Sequence, residues 1–134
     1  MALVGCLDTR FYFAHAQDEA SWTRKVVNEA SQRGSRIVSS TITIAELISA
    51  MGAAAGLETT RLRVNSARLA GVNFIPLSEN IATKAGEMIL KNSDVPLADA
   101  VIAATALDHT GGRVYTDDPH FQKMTGIHIV WGRA

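Results

Sequence analysis

Short apolar runs alternate along this chain with longer stretches of helical periodicity. Leu3 to Leu7 reads as a strand, and a helical pattern follows from Phe11 to Arg33. Arg36 to Ser39, rich in β-branched residues, is a second strand. Thr43 opens a helix that runs to Ala55, and another covers Glu58 to Ala70. Val72 to Leu77 is a third strand, followed by helices at Asn80 to Asn92 and Leu97 to His109. Strands at Arg113 to Thr116 and Ile127 to Trp131 complete the pattern. Strands alternating with helices predict an α/β fold whose parallel sheet is covered on both faces. Gly34, Gly71, Gly111, Gly112 and Gly126 fall just past predicted helix ends, where a left-handed cap is wanted.

The length, 134 residues, suits one domain spanning 1–134, large enough to bury a core without staples. Hydrophobic residues make up 47% of the chain and charged residues 19%, a composition that excludes disorder and low complexity. Thirteen basic and thirteen acidic side chains cancel, so any nucleic-acid contact must come from a local basic patch. The one cysteine, Cys6, excludes a disulfide framework and a cysteine-built zinc cage. No apolar run reaches the roughly 18 residues of a membrane span. Asp8 interrupts the apolar N-terminal stretch, which has no basic leader and does not read as a signal peptide. The expectation is a soluble cytoplasmic protein.

The acids divide into two groups. Asp18, Glu19, Glu29, Glu58, Glu79, Glu87 and Asp108 lie in mixed polar segments and read as solvated charges. Four other locations, at Asp8, Glu46, Asp99 and the pair Asp117–Asp118, stand in apolar surroundings. Asp8 ends the strand LVGCL, where open parallel sheets bind ligands; the position also fits a helix N-cap. Glu46 is the only charge between Ile42 and Leu57, and Thr43 to Glu46 also fits a capping box. Asp99 occupies the first turn of PLADAVIAATAL, a helix apolar nearly all round and therefore expected to be buried. A buried carboxylate must pair or coordinate a metal, and no base lies near it in sequence. Asp117 and Asp118 follow the strand RVYT and precede Pro119, a place that also suits a turn or a cap for a short helix from His120 to Met124. No Gly-rich phosphate loop or dinucleotide fingerprint is present. His15, His109, His120 and His128 lack ligand spacing and read as surface.

Four motifs join these acids: L-D-T at Leu7 to Thr9, T-x-x-E-L at Thr43 to Leu47, P-L-x-D-A-x-I-A-A-T-A at Pro96 to Ala106, and T-x-D-x-x-F at Thr116 to Phe121. In order and spacing the chain resembles a PIN domain, specifically the short prokaryotic toxins of the VapC type, over its whole length. The resemblance implies a Rossmann-like three-layer α/β/α sandwich with a parallel sheet, whose acids converge at the sheet's C-terminal edge. It implies a ribonuclease dependent on Mg2+ or Mn2+, with Asp8, Glu46, Asp99 and Asp118 as the site acids. Since the variable position of the last motif is also acidic, Asp117 stands as a fifth acid or a bystander. The resemblance further implies an RNA substrate, a homodimer and a cognate antitoxin.

Four carboxylates in one pocket repel by about 3–4 kcal/mol per pair at 4–6 Å, so such a site needs a cation. All-oxygen donors select hard ions, Mg2+ or Mn2+. Asp8, Asp99 and Asp118 take the metal-ligand role in this reading. Glu46 binds metal or orients its water, and Thr9 and Thr116 supply hydrogen bonds behind the ligands. RNA contacts would come from Arg61 and Arg68 on one helical face and from Arg10, Arg24 and Lys25 after the first strand. Two other uses of such a domain remain open, an RNA-processing nuclease that is not a toxin and a catalytically silent RNA binder. A phosphoacceptor receiver module would need an Asp ending the third strand, which FIPLSE lacks, and Arg10 stands where D-x-D phosphatases carry their second acid.

Overall fold

The computed structural model describes residues 2–17 and 21–134. In chain order the elements are β1 (Val4–Leu7), α1 (Thr9–Ala16), α2 (Ser21–Glu29), β2 (Arg36–Ser40), α3 (Thr41–Ala55) and α4 (Leu57–Ala70). They continue with β3 (Asn73–Ile75), α5 (Glu79–Lys91), α6 (Leu97–His109), β4 (Arg113–Tyr115), a short 3-10 helix (Pro119–Lys123) and β5 (His128–Val130). The five strands form one sheet in the order β3-β2-β1-β4-β5, and every pairing is parallel.

The alternation of side chains along each strand divides the core in two. Cys6, Val38 and Val114 face one side, where they meet the buried residues of α5 and α6. Leu3, Leu7, Ile37 and Tyr115 face the other, against Phe11, Tyr12, Val26, Leu47 and Val64 of α1 to α4. This is the predicted parallel sheet covered on both faces, and it explains why the strands read as continuous apolar runs. Helix α6 is the most enclosed element. Every residue from Asp99 to Ala106 is buried, because its alanines let it pack closely against the sheet, α5 and α3. At Gly5 the sheet accepts no side chain: a Cβ there would come within 2.3 Å of the Tyr115 ring.

Two elements depart from the sequence pattern. The predicted helix from Phe11 to Arg33 is two helices, with residues 18–20 outside the described residues. A single helix of that length would run roughly 34 Å at 1.5 Å per residue, well past strands of only a few residues. Instead α2 packs against α1, with the ring centroids of Trp22 and Phe11 5.6 Å apart. The second departure concerns α3, which starts at Thr41 rather than Thr43. Ser40, the last residue of β2, caps it by accepting the amide N–H of Ile42 at 3.2 Å. Thr43 therefore lies inside the helix, buried, with no hydrogen-bond partner for its hydroxyl among the described residues, and the capping box does not form.

Candidate functional site

Strand order decides where a ligand site can sit. From β1 the chain steps outward through β2 to β3, then returns to the opposite side of β1 for β4 and β5. The order reverses between β1 and β4, and a crevice opens outside the carboxyl ends of these two strands. Leu7 pairs with Tyr115 at their last register position, so Asp8 and Thr116 leave the sheet side by side. The Asp8 amide donates to the Tyr115 carbonyl at 3.2 Å.

Asp8 occupies the N-cap position of α1, yet its side chain makes no capping hydrogen bond. Its carboxylate turns into the crevice and accepts the Thr116 hydroxyl at 2.7 Å. The same Thr116 oxygen accepts the Asp118 amide at 3.0 Å. One buried threonine thus ties the end of β1 to the turn after β4. Asp8 is 2% exposed, and burial pushes its pKa up to about 6. The Thr116 hydrogen bond opposes that rise, while the charges of Asp118 and Glu46 add to it.

Asp99 enters from the first turn of α6, 8% exposed. Burial and then the charges of Asp118, Asp8 and Glu46 push its pKa up to about 7. Its Oδ2 has no hydrogen-bond partner among the described residues. Asp118 caps the 3-10 helix, accepting the His120 amide N–H at 2.9 Å, and the His120 ring Nδ1 lies 2.8 Å from the same oxygen. Burial works against ionisation of Asp118, but the His120 amide, the His120 ring and hydrogen bonding with Asp99 together hold its pKa below the ordinary value. Two carboxyls in contact whose pKa values move apart behave as one coupled pair.

Three side chains offer a compact donor set: Asp99, Asp118 and His120 each present one ligand atom within 4.8 Å of the others. His120 Nδ1 stands 3.6 Å from Asp99 Oδ2. His120 stays at the surface, its side chain 38% exposed, but Pro119 starts the 3-10 turn that folds the ring back over Asp118. The signal was present in Asp118-Pro119-His120, where an N-cap acid followed by proline brings the residue two places on back toward the acid. The group thus brings one imidazole nitrogen beside the carboxylate oxygens. An orphaned, buried carboxylate oxygen facing a second carboxylate and an imidazole fits a divalent cation.

Glu46 stands beside this group, half-buried on α3. Its Oε1 accepts the Thr9 hydroxyl at 2.6 Å rather than the Thr43 amide, so the glutamate is held across the crevice by α1. Asp117 points elsewhere. It forms a bidentate ion pair with Arg10, one arm of which spans 3.2 Å, and both side chains are substantially exposed. Of the other proposed cations, Arg61 pairs with Glu58 at 3.1 Å. Arg68 bonds to Asn65 and lies 4.9 Å over the Phe74 ring. Arg24 and Lys25 are exposed on α2. Cys6 is buried within the sheet, where burial and then Asp8 push its thiol pKa up, so it offers no nucleophile.

A family model for the PIN domain matches residues 6–127. Among curated proteins, no sequence matches significantly. Among solved structures, the chain resembles VapBC2 from Rickettsia felis bound to a DNA fragment from their promoter, with a TM-score of 0.76 at 15% identity over 96% of this chain and 98% of that one. DNA-bound VapBC from Salmonella typhimurium gives a TM-score of 0.72 at 23% identity over 97% and 98% of the two chains. VapC20 of Mycobacterium tuberculosis, a sarcin–ricin loop cleaving toxin, gives 0.68 at 14% identity over 87% and 92%. Likeness at these identities speaks for the fold.

Proposed function

The chain belongs to the PIN-domain family, and on that premise we propose that residues 1–134 act as one domain, a ribonuclease dependent on Mg2+ or Mn2+ and the toxin of a toxin–antitoxin pair. The observation that carries this reading is the acid group at the switch point. The Asp99 Oδ2 is buried without a hydrogen-bond partner among the described residues, beside Asp118 and His120, and the pKa values of Asp8 and Asp99 are both pushed up. A fold that spends stability in this way needs a cation to neutralise the site.

Asp99 and Asp118, with Asp8 on its Thr116 tether, would hold the ion through carboxylate oxygens, the donors that suit Mg2+ or Mn2+, and His120 would add one nitrogen, which Mn2+ accepts more readily than Mg2+. When bound, such an ion lowers the pKa of a water and screens the negative charge of a phosphodiester. The chain's own residues supply the rest. Glu46 keeps Oε1 occupied by Thr9, which leaves Oε2 to accept the proton of an attacking water. Thr116 fixes the spacing of Asp8 and Asp118 through two hydrogen bonds, and its burial keeps that link out of competition with solvent. Arg10, braced by Asp117 at the rim, is placed to meet a substrate phosphate.

The structural neighbours that are VapBC complexes support an antitoxin as partner, and the homodimer and the cytoplasmic location belong to the same proposal. Among the described residues, no helix is long and apolar enough to cross a membrane. The test is to incubate the purified protein with mixed RNAs, with and without Mn2+, and to sequence the cleaved ends. Cleavage that EDTA abolishes and Mg2+ or Mn2+ restores is expected. Undiminished cleavage in EDTA refutes the metal-dependent reading.

A further inference from the structure

A groove of about 390 Å³ opens between α1 and α3, lined by Thr9, Phe13, Ala45, Glu46, Ser49 and Ala50. It is continuous with the candidate site, because Thr9 and Glu46 form one hydrogen-bonded wall of both. Its aromatic residue differs from its neighbours on α1. Phe11 and Tyr12 are buried and engage other rings, whereas Phe13 is half-exposed and meets no other ring among the described residues. Beside Glu46 the opposing helix presents three short side chains, Ala45, Ser49 and Ala50, all exposed, which leave room for a flat group against Phe13. Among the described residues no lysine or arginine lines the groove, so it offers no cation to a phosphate.

We infer that this groove seats an unpaired nucleobase of the RNA next to the scissile phosphate, stacked on Phe13, with the Ser49 hydroxyl at the edge of the base. The inference rests on the ribonuclease reading and deepens it. Aromatic faces take bases of any identity, because every base has a π-face, and sequence preference then comes from the polar edge. A base held here places its own phosphate beside Glu46 and the acids behind it. Substrates whose flanking nucleotide is locked in a duplex are excluded, since a paired base cannot enter between two helices.

The experiment starts from a short unstructured RNA spanning the cut site that the parent itself makes, found by sequencing digested ends. An abasic nucleotide is placed at each position flanking the cut in turn, and kcat/KM is measured with Mn2+ for the parent, Phe13→Leu and Phe13→Tyr. Stacking worth about 1–3 kcal/mol predicts that Phe13→Leu lowers kcat/KM roughly 5- to 150-fold, while Phe13→Tyr retains it. One abasic position should cost the parent a similar factor, and Phe13→Leu should add nothing further on that substrate. The abasic series needs no altered protein and therefore stands even if Phe13→Leu folds poorly. If the parent cleaves RNA but no abasic position matters, or the losses from Phe13→Leu and the abasic site multiply, the groove does not hold a base and the ribonuclease reading survives alone. If Phe13→Leu changes the sedimentation of the protein and leaves cleavage intact, the groove is a protein interface and the inference is wrong. A parent that cleaves no RNA in Mn2+ overturns the inference together with the reading beneath it.

Discussion

Replacing Asp99 by asparagine removes one charge from the crowded group while keeping the shape of the side chain. Moving a carboxyl from its ordinary 3.8 to about 7 costs the folded state up to about 4 kcal/mol at pH 8. Part of that cost is shared with Asp118, whose pKa moves the other way, so a net gain of about 1–3 kcal/mol is expected for metal-free Asp99→Asn at pH 8. In a domain of this size that is on the order of 3–10 °C in melting temperature. The sign depends on pH. Well below pH 3.8, Asp99 is protonated in both folded and unfolded protein and costs nothing. As pH rises toward 7, the unfolded chain releases its proton first, and the parent loses stability. Asp8, with its pKa near 6, adds to the same slope in both proteins. The gap between Asp99→Asn and the parent should therefore begin to open near pH 4, stand at roughly two-fifths of its full size at pH 5 and be complete by pH 8. Excess Mn2+ should raise the parent's melting temperature, as any ligand of the native state does, and raise the variant's less. Thermal melts of both proteins at pH 5 and pH 8, in EDTA and in Mn2+, read all of these quantities. If Asp99→Asn loses several kcal/mol at both pH values and responds to Mn2+ as the parent does, Asp99 is structural and the reasoning fails.

The ambiguous acids separate in a cleavage assay: Asp118→Asn should lose most activity, about 100-fold or more, and Asp117→Asn distinctly less, because Asp117 is turned to Arg10 at the rim. A reversed order would move the site to Asp117. Thr116→Val removes the hydrogen bonds to Asp8 and from the Asp118 amide and leaves both groups unsatisfied. A loss of about 1–3 kcal/mol by denaturant melts is expected, with Asp8 titrating higher still by NMR. His120→Ala should weaken the Mn2+-induced rise in melting temperature, by roughly 10-fold or more in apparent metal affinity. An unchanged metal response would remove His120 from the donor set.

What the sequence determined by itself is whatever local periodicity encodes. Continuous apolar runs in β1, β2 and β4 predict strands buried on both faces, and the sheet is indeed parallel with helices on each side. The apolar helix around Asp99 predicts burial all round, which α6 shows. Strand ends were legible too, since each stands where an apolar run meets an acid or a turn, and they placed Asp8 and Asp118 in the same crevice once the strands were ordered. Tertiary structure decided which partners those residues take. Glu46 satisfied a local capping box on paper, but the helix begins two residues earlier on Ser40, and the glutamate bonds to Thr9, 37 positions away in sequence. Thr116 reaches Asp8 across 108 positions, and Arg10 draws Asp117 aside across 107, which separates two adjacent acids that only the motif spacing had ranked in favour of Asp118. The Phe11 to Arg33 pattern is interrupted only by the polar run Gln17-Asp18-Glu19, which a solvated helical face also explains; contact between α1 and α2 is what the tertiary structure adds. Periodicity reports which face of an element is covered. The group that meets a given carboxylate depends on how remote elements pack, and no window of neighbouring residues contains that information.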